Sequence, residues 1–192
     1  YALLLLVLCL LIVFAPTATA TGSAVLVELL FDVVIIVGAY SVARSGFRPW
    51  PFLTQTTMIF IGRWCALFWG EVELDIIAAA LTVIWTALVV MIVLAELFGV
   101  RGAASGAITK SVVAYFLIAV VFGNLYELIE LSRPGSFSGV PGGPALDPLG
   151  DALLYFSLVT LTTLGYGDIV PTSSLVRPVV ALEGAAGPST SP

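Results

Sequence analysis

Nine residues toward the C-terminal end of the chain, Thr160 to Asp168 (TLTTLGYGD), set two glycines around a tyrosine and bracket them with threonines and an aspartate. The string fits neither a helical stripe nor a strand alternation, and glycine weakens both. What it offers is bare backbone. With no Cβ, Gly165 and Gly167 reach φ/ψ values barred to other residues, so successive carbonyls can be turned the same way. A dehydrated potassium ion needs oxygen ligands on all sides to replace its water shell, and four copies of such a strand around one axis supply them. Thr163 adds a hydroxyl below the backbone carbonyls. An ordinary interhelical turn would leave Thr162, Thr163 and Asp168 unexplained. A phosphate-cradling glycine loop requires a following helix and a lysine, and the residues after Asp168 supply neither.

The elements that must hold this strand are apolar. Of 192 residues, 60% are hydrophobic and 10% charged, with no histidine; a soluble domain is nearer half apolar and a quarter charged. The composition is that of a membrane protein. The net charge of −5 comes with no basic patch, which argues against nucleic acid as a partner. Cys9 and Cys65 sit inside apolar runs without CxxC or Cys/His spacing, so neither a metal site nor a disulfide framework is expected. A spanning helix needs about 20 mostly apolar residues. The candidates are Ala2–Ala15, Ala24–Ala43, Leu53–Trp69, Ile76–Phe98 and Thr109–Leu131. The first is short, and because the chain starts at Tyr1 rather than methionine, an incomplete start is expected. The third is interrupted by Arg63 and a polar beginning, Thr54 to Thr57. Leu3–Phe14 followed by APTATA also has the look of a signal-peptide apolar region with a small-residue cleavage site. A retained span is favoured, since no basic segment precedes it and its removal would leave the loop arginines unexplained.

Charges in the connecting loops are sorted by sign. Arg44 and Arg48 share one loop, Arg101 and Lys110 flank another, and Glu71, Glu73 and Asp75 fall between them. Lysine and arginine accumulate on the cytoplasmic side, which puts the N-terminus inside, Gly70–Asp75 outside, and sends Thr109–Leu131 outward. No span carries an arginine at every third position, so an arginine-rich voltage sensor is not expected. Glu28 and Asp32 lie one helical turn apart in the second span, and pairing with Arg63 on the neighbouring span is favoured over a functional role for these acids. Glu127 and Glu130, at the end of the outer helix, read as solvated.

Beyond Thr109–Leu131 the chain starts from the outer face. Ser132–Asp147 is rich in glycine, proline and serine and reads as an external loop. Asp147-Pro148 is a helix start, Asp as N-cap and Pro at the first helical position. The helix Pro148–Leu161 would be about 21 Å long, too short to span. It therefore re-enters from outside and delivers residues 162–168 at membrane depth, where non-helical backbone is tolerated only when it is buried in protein or lines a water-filled path. Its C-terminal dipole points toward the cavity where an ion would wait. Tyr155 and Phe156 either buttress the strand or simply pack.

Residues 147–171, DPLGDALLYFSLVTLTTLGYGDIVP, resemble the pore helix and selectivity filter of the potassium channel superfamily, and most resemble the small bacterial channels of the ion-channel-2 type, with one pore loop per chain. The resemblance is strong over about Thr109–Gly187 and only topological before that. It implies an all-α membrane protein with a re-entrant pore helix and an extended filter, and a passive, potassium-selective channel rather than an enzyme. Residues 1–108 would form four transmembrane helices. Residues 109–192 would form a pore module of outer helix 109–131, external loop 132–147, pore helix 148–161, filter 162–168 and inner helix 175–192. The filter ligands would be Thr163, Leu164, Gly165, Tyr166 and Gly167, supported by Thr162 and Asp168. Potassium enters as the permeant ion, with no cofactor. The partners would be the lipid bilayer and three further copies in a homotetramer, and the place a cell membrane, multi-pass, with the filter mouth extracellular.

The sequence departs from the family pattern at three places. Leu164 stands where many members have valine, on a side chain that faces away from the ion. Val159 stands where some bacterial members carry a glutamate paired to the filter aspartate, so that pair is absent. Finally, TSSLVRPVVALEGAAGPSTSP offers a helix-compatible stretch only over Val179–Gly187, about 14 Å against a hydrocarbon core of about 30 Å, so an incomplete inner helix is expected. That shortfall motivates the rival reading, a non-conducting membrane subunit or truncated remnant of such a channel. A potassium transporter fits less well, because such proteins carry four degenerate pore loops in one chain and this chain carries one.

The orientation has a direct check. Single cysteines placed in each loop and labelled from outside intact cells are expected to react at Glu71–Asp75 and at Ser132–Leu146, and to stay protected at Gly102 and Ser105. External labelling at Gly102 or Ser105 would contradict the assignment.

Overall fold

The computed structural model describes residues 4–10, 29, 32–33, 36–37, 40, 49–69, 72–98, 107–140 and 147–187. Its elements run α1 (Pro49–Trp69), α2 (Val72–Phe98), α3 (Ala107–Ser132), β1 (Phe137–Ser138), α4 (Asp147–Leu161), β2 (Val170–Pro171) and α5 (Val176–Ala186). Residues 4–10 are helical as well. Among the described residues, Glu73–Ala95 in α2 and Ile108–Ser132 in α3 are long and apolar enough to cross a membrane. The architecture is that of an all-α membrane protein, its strand pairing among the described residues confined to two residues on each side.

Three boundaries differ from the sequence reading. α1 begins at Pro49 inside the expected loop, since proline's fixed φ is already helical and its missing N–H is unneeded in the first turn. Glu73 and Asp75 belong to the first turn of α2 rather than to a loop, where the positive end of the helix dipole favours acids. α5 starts at Val176, before Arg177 and Pro178. Proline is tolerated in a first turn, and Ser173 serves that end by accepting Val176 N–H on its hydroxyl (3.2 Å) and Arg177 N–H on its carbonyl (3.3 Å).

α2 packs against both α1 and α3, α3 against α4, and α4 against α5. One apolar core gathers Leu4 and Leu8 with Ile59 of α1, Trp85 and Val89 of α2, Leu117 and Val120 of α3 and Leu154 of α4. A second, nearer the external loop, gathers Tyr126, Phe137, Leu153, Phe156, Ile169 and Val176. Buried polar groups inside these layers bond to the backbone one turn back or across to a neighbouring helix. Thr82 and Thr86 donate to the Ala78 and Thr82 carbonyls one turn back (2.8 Å each), and the Trp85 indole donates to Thr56 Oγ1 (2.9 Å). Asp32 is buried and accepts from the Trp64 indole (3.0 Å). The expected pairing with Arg63 falls, with Glu28 and the Arg63 side chain, outside the described residues.

The contact that places α4 is between α3 and α4. Four residues one turn apart on α3 meet a descending series on α4: Tyr115 with Leu161, Ala119 with Ser157, Gly123 with Leu154 and Glu127 with Gly150. The two helices therefore run antiparallel in a fixed register along one face of α3. Gly123 is the closest approach. A Cβ there would lie 2.9 Å from Leu154 Cα and 3.3 Å from Leu154 Cδ1. Gly123→Val is expected to push the helices apart and lower stability by about 1–3 kcal/mol, the usual range for overpacking. Gly62→Ala, whose Cβ would meet Ala78 at an ordinary 3.8 Å, is expected to change little. Thermal unfolding of both variants in detergent checks this, and equal midpoints would contradict the tight contact at Gly123.

Candidate ion-conduction site

The site begins where α4 stops. A helix end leaves its last four carbonyls without intrahelical partners, and at membrane depth each orphan costs several kcal/mol. Here all four are served. Leu158 O accepts Thr162 N–H (2.9 Å) and the Thr162 hydroxyl (2.6 Å); Val159 O accepts Leu164 N–H (3.0 Å); Thr160 O accepts Thr163 N–H (3.0 Å). Leu161 O accepts the hydroxyl of Tyr115, reaching across from α3 (3.0 Å). The bonds from Thr163 and Leu164 form a Schellman cap with Thr163 at the left-handed position, and Thr163 has φ +59°. That position usually holds glycine. A β-branched residue there is a genuine outlier, costing about 1–2 kcal/mol.

Past the cap the backbone alternates in handedness. φ is positive at Thr163 (+59°), Gly165 (+56°) and Gly167 (+78°), and Leu164 and Tyr166 between them are not in the positive range. With every peptide trans, each carbonyl is antiparallel to the following N–H. The N–H groups of Thr163, Leu164 and Gly165 fold back on Val159 and Thr160, so the carbonyls of Thr162, Thr163 and Leu164 point away from α4. Left- and right-handed residues in alternation collect N–H groups on one side of a chain and carbonyls on the other. Residues 162 to 168 are all exposed.

The strand is held at both ends. At the inner end, Thr162 turns its hydroxyl back onto α4 rather than outward. At the outer end, the Tyr155 hydroxyl of α4, one turn before Val159, faces the Asp168 carboxylate. Ile169 is buried, and β2 pairs antiparallel with β1, Phe137 opposite Pro171 and Ser138 opposite Val170. A methyl group at Gly139 would run into the Asp168 carbonyl, so the segment that follows β1 lies directly on the end of the strand. Beneath it the rings of Tyr126, Phe137 and Phe156 meet edge to face, with centroids 5.3–5.5 Å apart, each pair worth about 0.5–1.5 kcal/mol beyond its buried area. Phe156 thus packs under the loop, whereas Tyr155 is the one that touches the strand.

Residues 144–190 match the family model described as ion channel. Over these residues the chain is similar to the ion-channel family. Its chemistry is transport across a membrane, not enzymatic turnover. Comparison with curated proteins and with solved structures gives no match. The channel segment takes in α4, the alternating strand, β2 and α5, and leaves out α3, which holds them in place.

Several residues of consequence escape a reading of the sequence alone. Glu130 is not solvated. It is buried and accepts the N–H groups of Gly135 (2.7 Å) and Phe137 (3.1 Å), fixing the loop that covers the strand's exit. Glu127 lies over Gly150, where a Cβ would come within 3.2 Å of its Oε1, at the end of α4 whose dipole attracts an anion. Glu183 of α5 is fully buried and bonded to Tyr126 and Ser157. Periodicity carries a hint of Tyr115 and Glu127, which fall on one face of α3 three turns apart. For Glu183 no local signal exists.

A Cβ at Gly167 would meet nothing within 4 Å, so a substitution there acts through φ alone. Gly167→Ala is expected to cost about 1–2 kcal/mol per strand, abolishing selective ion flux while leaving membrane insertion and assembly intact. Flux and native-gel mobility of the reconstituted variant check this. Unchanged ion selectivity would refute the geometric role of the glycine.

Proposed function

We propose that the chain is one subunit of a potassium-selective channel that conducts passively through a pore built by four copies. The observation that carries this reading is the alternation of backbone handedness from Thr163 to Gly167, with carbonyls turned away from the supporting helix. A ring of four such strands around an axis presents stacked cages of oxygen to a dehydrated ion. The carbonyls of Thr163, Leu164, Gly165 and Tyr166, with the Thr163 hydroxyl at the inner end, act as ligands. Gly167 continues the ring to the outer mouth, Asp168 closes it, and Thr162 anchors the row to α4.

Two further features support four copies. One chain supplies one strand with its oxygens on one side, which covers one side of an ion. Leu164 and Tyr166 are 59% and 67% exposed in the single chain, and large apolar side chains left open in this way mark an interface. In the assembly they pack against neighbouring subunits and hold the four strands at a common radius. Conduction then follows from near balance: the cages repay dehydration closely enough for ions to enter, and adjacent ions repel closely enough for them to leave. The membrane is a cell membrane crossed several times, with the N-terminus in the cytoplasm and the Asp168 end outside, as the loop charges indicate.

Tracer uptake into liposomes holding the full-length protein tests the proposal. Potassium is expected to be taken up at least about a hundredfold faster than sodium, a discrimination of about 2.8 kcal/mol at 1.4 kcal/mol per tenfold. Sodium flux equal to potassium flux would refute the selectivity. A monomer or dimer in the conducting state would refute the fourfold pore.

A further inference from the structure

Glu183 sits at a junction of three helices that the filter chemistry does not use. Its side chain is fully buried on α5. Tyr126 of α3 donates to its Oε2 (2.6 Å), and its Oε1 is in short contact with Ser157 Oγ of α4. Ser157 lies one turn before the end of α4, directly behind the cap that launches the strand. The same Ser157 hydroxyl also donates to the Ala119 carbonyl on α3 (2.8 Å).

The protons can be counted. A serine hydroxyl has one hydrogen, and a peptide carbonyl only accepts. If the Ser157 proton goes to Ala119 O, the contact between Ser157 Oγ and Glu183 Oε1 needs a proton from the glutamate. If it goes to Glu183 instead, two lone-pair oxygens face each other at 2.8 Å between Ser157 and Ala119. Only a protonated Glu183 satisfies every contact: the Tyr126 hydroxyl donates to Oε2, the acid O–H at Oε1 donates to Ser157 Oγ, and Ser157 donates to Ala119 O. Among the described residues, the titratable groups facing the site are phenols, Tyr126 and Tyr115 from α3. From α4 the facing group is Ser157. On α5 itself, Arg177 is exposed and turned to the Pro171 carbonyl. A buried carboxylate without a cation is strongly disfavoured, and the phenols supply none.

We propose that Glu183 is held as the neutral carboxylic acid and that its proton positions α4 between α3 and α5, so that conduction requires this proton to stay in place. The proposal rests on the channel reading for its conduction arm only. Loss of the proton would break the donor chain at Ser157 and place an anion among three helices behind the filter, loosening the cap from which Thr163 and the strand extend. Glu183 is a positioning residue.

Glutamine separates this from a merely structural or anionic role, because its amide oxygen can accept from Tyr126 and its NH2 can donate to Ser157, as the neutral acid does. With full-length protein in liposomes, the infrared difference between wild type and Glu183→Gln at neutral pH is expected to show a protonated-carboxyl C=O band present only in the wild type. Potassium flux at neutral pH is expected to be the same in Glu183→Gln to within about twofold, and reduced about tenfold or more in Glu183→Ala, which leaves two buried hydroxyl partners unmatched. Raising the pH is expected to reduce wild-type flux and leave Glu183→Gln unchanged. The absence of the band, a Glu183→Gln channel as impaired as Glu183→Ala, or parallel pH profiles in wild type and Glu183→Gln would each overturn the proposal. If wild-type protein passes no ions, the channel reading fails. The proton placement is then still decided by the band, and the positioning by amide exchange at residues 162 to 165: faster exchange in Glu183→Ala than in Glu183→Gln supports it, and equal rates overturn it.

Discussion

Everything around residues 162–168 answers to one constraint: a backbone that leaves a helix inside a membrane must place each N–H and C=O against a partner or along water. At the end of α4 the chain meets this by returning three successive N–H groups to the helix's own last carbonyls and by borrowing the Tyr115 hydroxyl for the fourth. Satisfying the helix in this way commits the following carbonyls to the opposite direction. The oxygens that would ligate an ion are thus a consequence of how the helix is capped. The left-handed Thr163 marks the strain of that arrangement, which the bonds on either side hold in place.

A strand so committed is useful only if its frame is rigid, and the frame is α3. One face of this helix contacts α4 at four levels, from Tyr115 at the inner end to Glu127 at the outer. The small residues Ala119 and Gly123 sit at the middle levels, where a larger side chain would hold the helices apart. Close approach through small residues is the usual means by which helices associate in lipid, where apolar surface gives no preference for protein over lipid tails. Edge-to-face packing of Tyr126, Phe137 and Phe156 then ties the same α3 to the external loop. That loop, braced by Glu130, lies on the strand's exit. Both ends of the strand at residues 162–168 are therefore referred to one helix. α5 joins through Val176 in the second core and through the buried Glu183 carboxyl shared with Tyr126 and Ser157.

Much of this was legible in the order of residues. The apolar composition and the lengths of the apolar runs set the class, because the bilayer imposes a minimum span and tolerates few charges. TLTTLGYGD stood out because glycines flanking a tyrosine serve neither helix nor strand, and Asp147-Pro148 announced a helix too short to cross. These signals are local: a residue's conformational freedom and the period of a hydrophobic pattern depend on near neighbours alone. Where the reading slipped, local signals conflicted. Pro178 argued against a helix that a first turn accommodates, and Glu130, at the end of an apolar helix, had every mark of a solvated acid.

Partnership across the fold was decided by the tertiary structure. Glu130 is buried because a loop five to seven residues on returns its N–H groups to the carboxylate. Tyr155 reaches Asp168 because the strand doubles back past the end of α4. Tyr115 meets Leu161 across 46 positions, and Tyr126 meets Glu183 across 57. No spacing rule links such pairs, since their separation is set by how helices cross and not by any period along the chain. The sequence by itself determined which segments are helical, which are apolar, and where the backbone is free to turn left-handed. Which acid is buried, which hydroxyl caps α4 and which way the carbonyls face were settled only when α3, α4 and α5 packed, because each is a matter of hydrogen-bond partners that a chain acquires by folding.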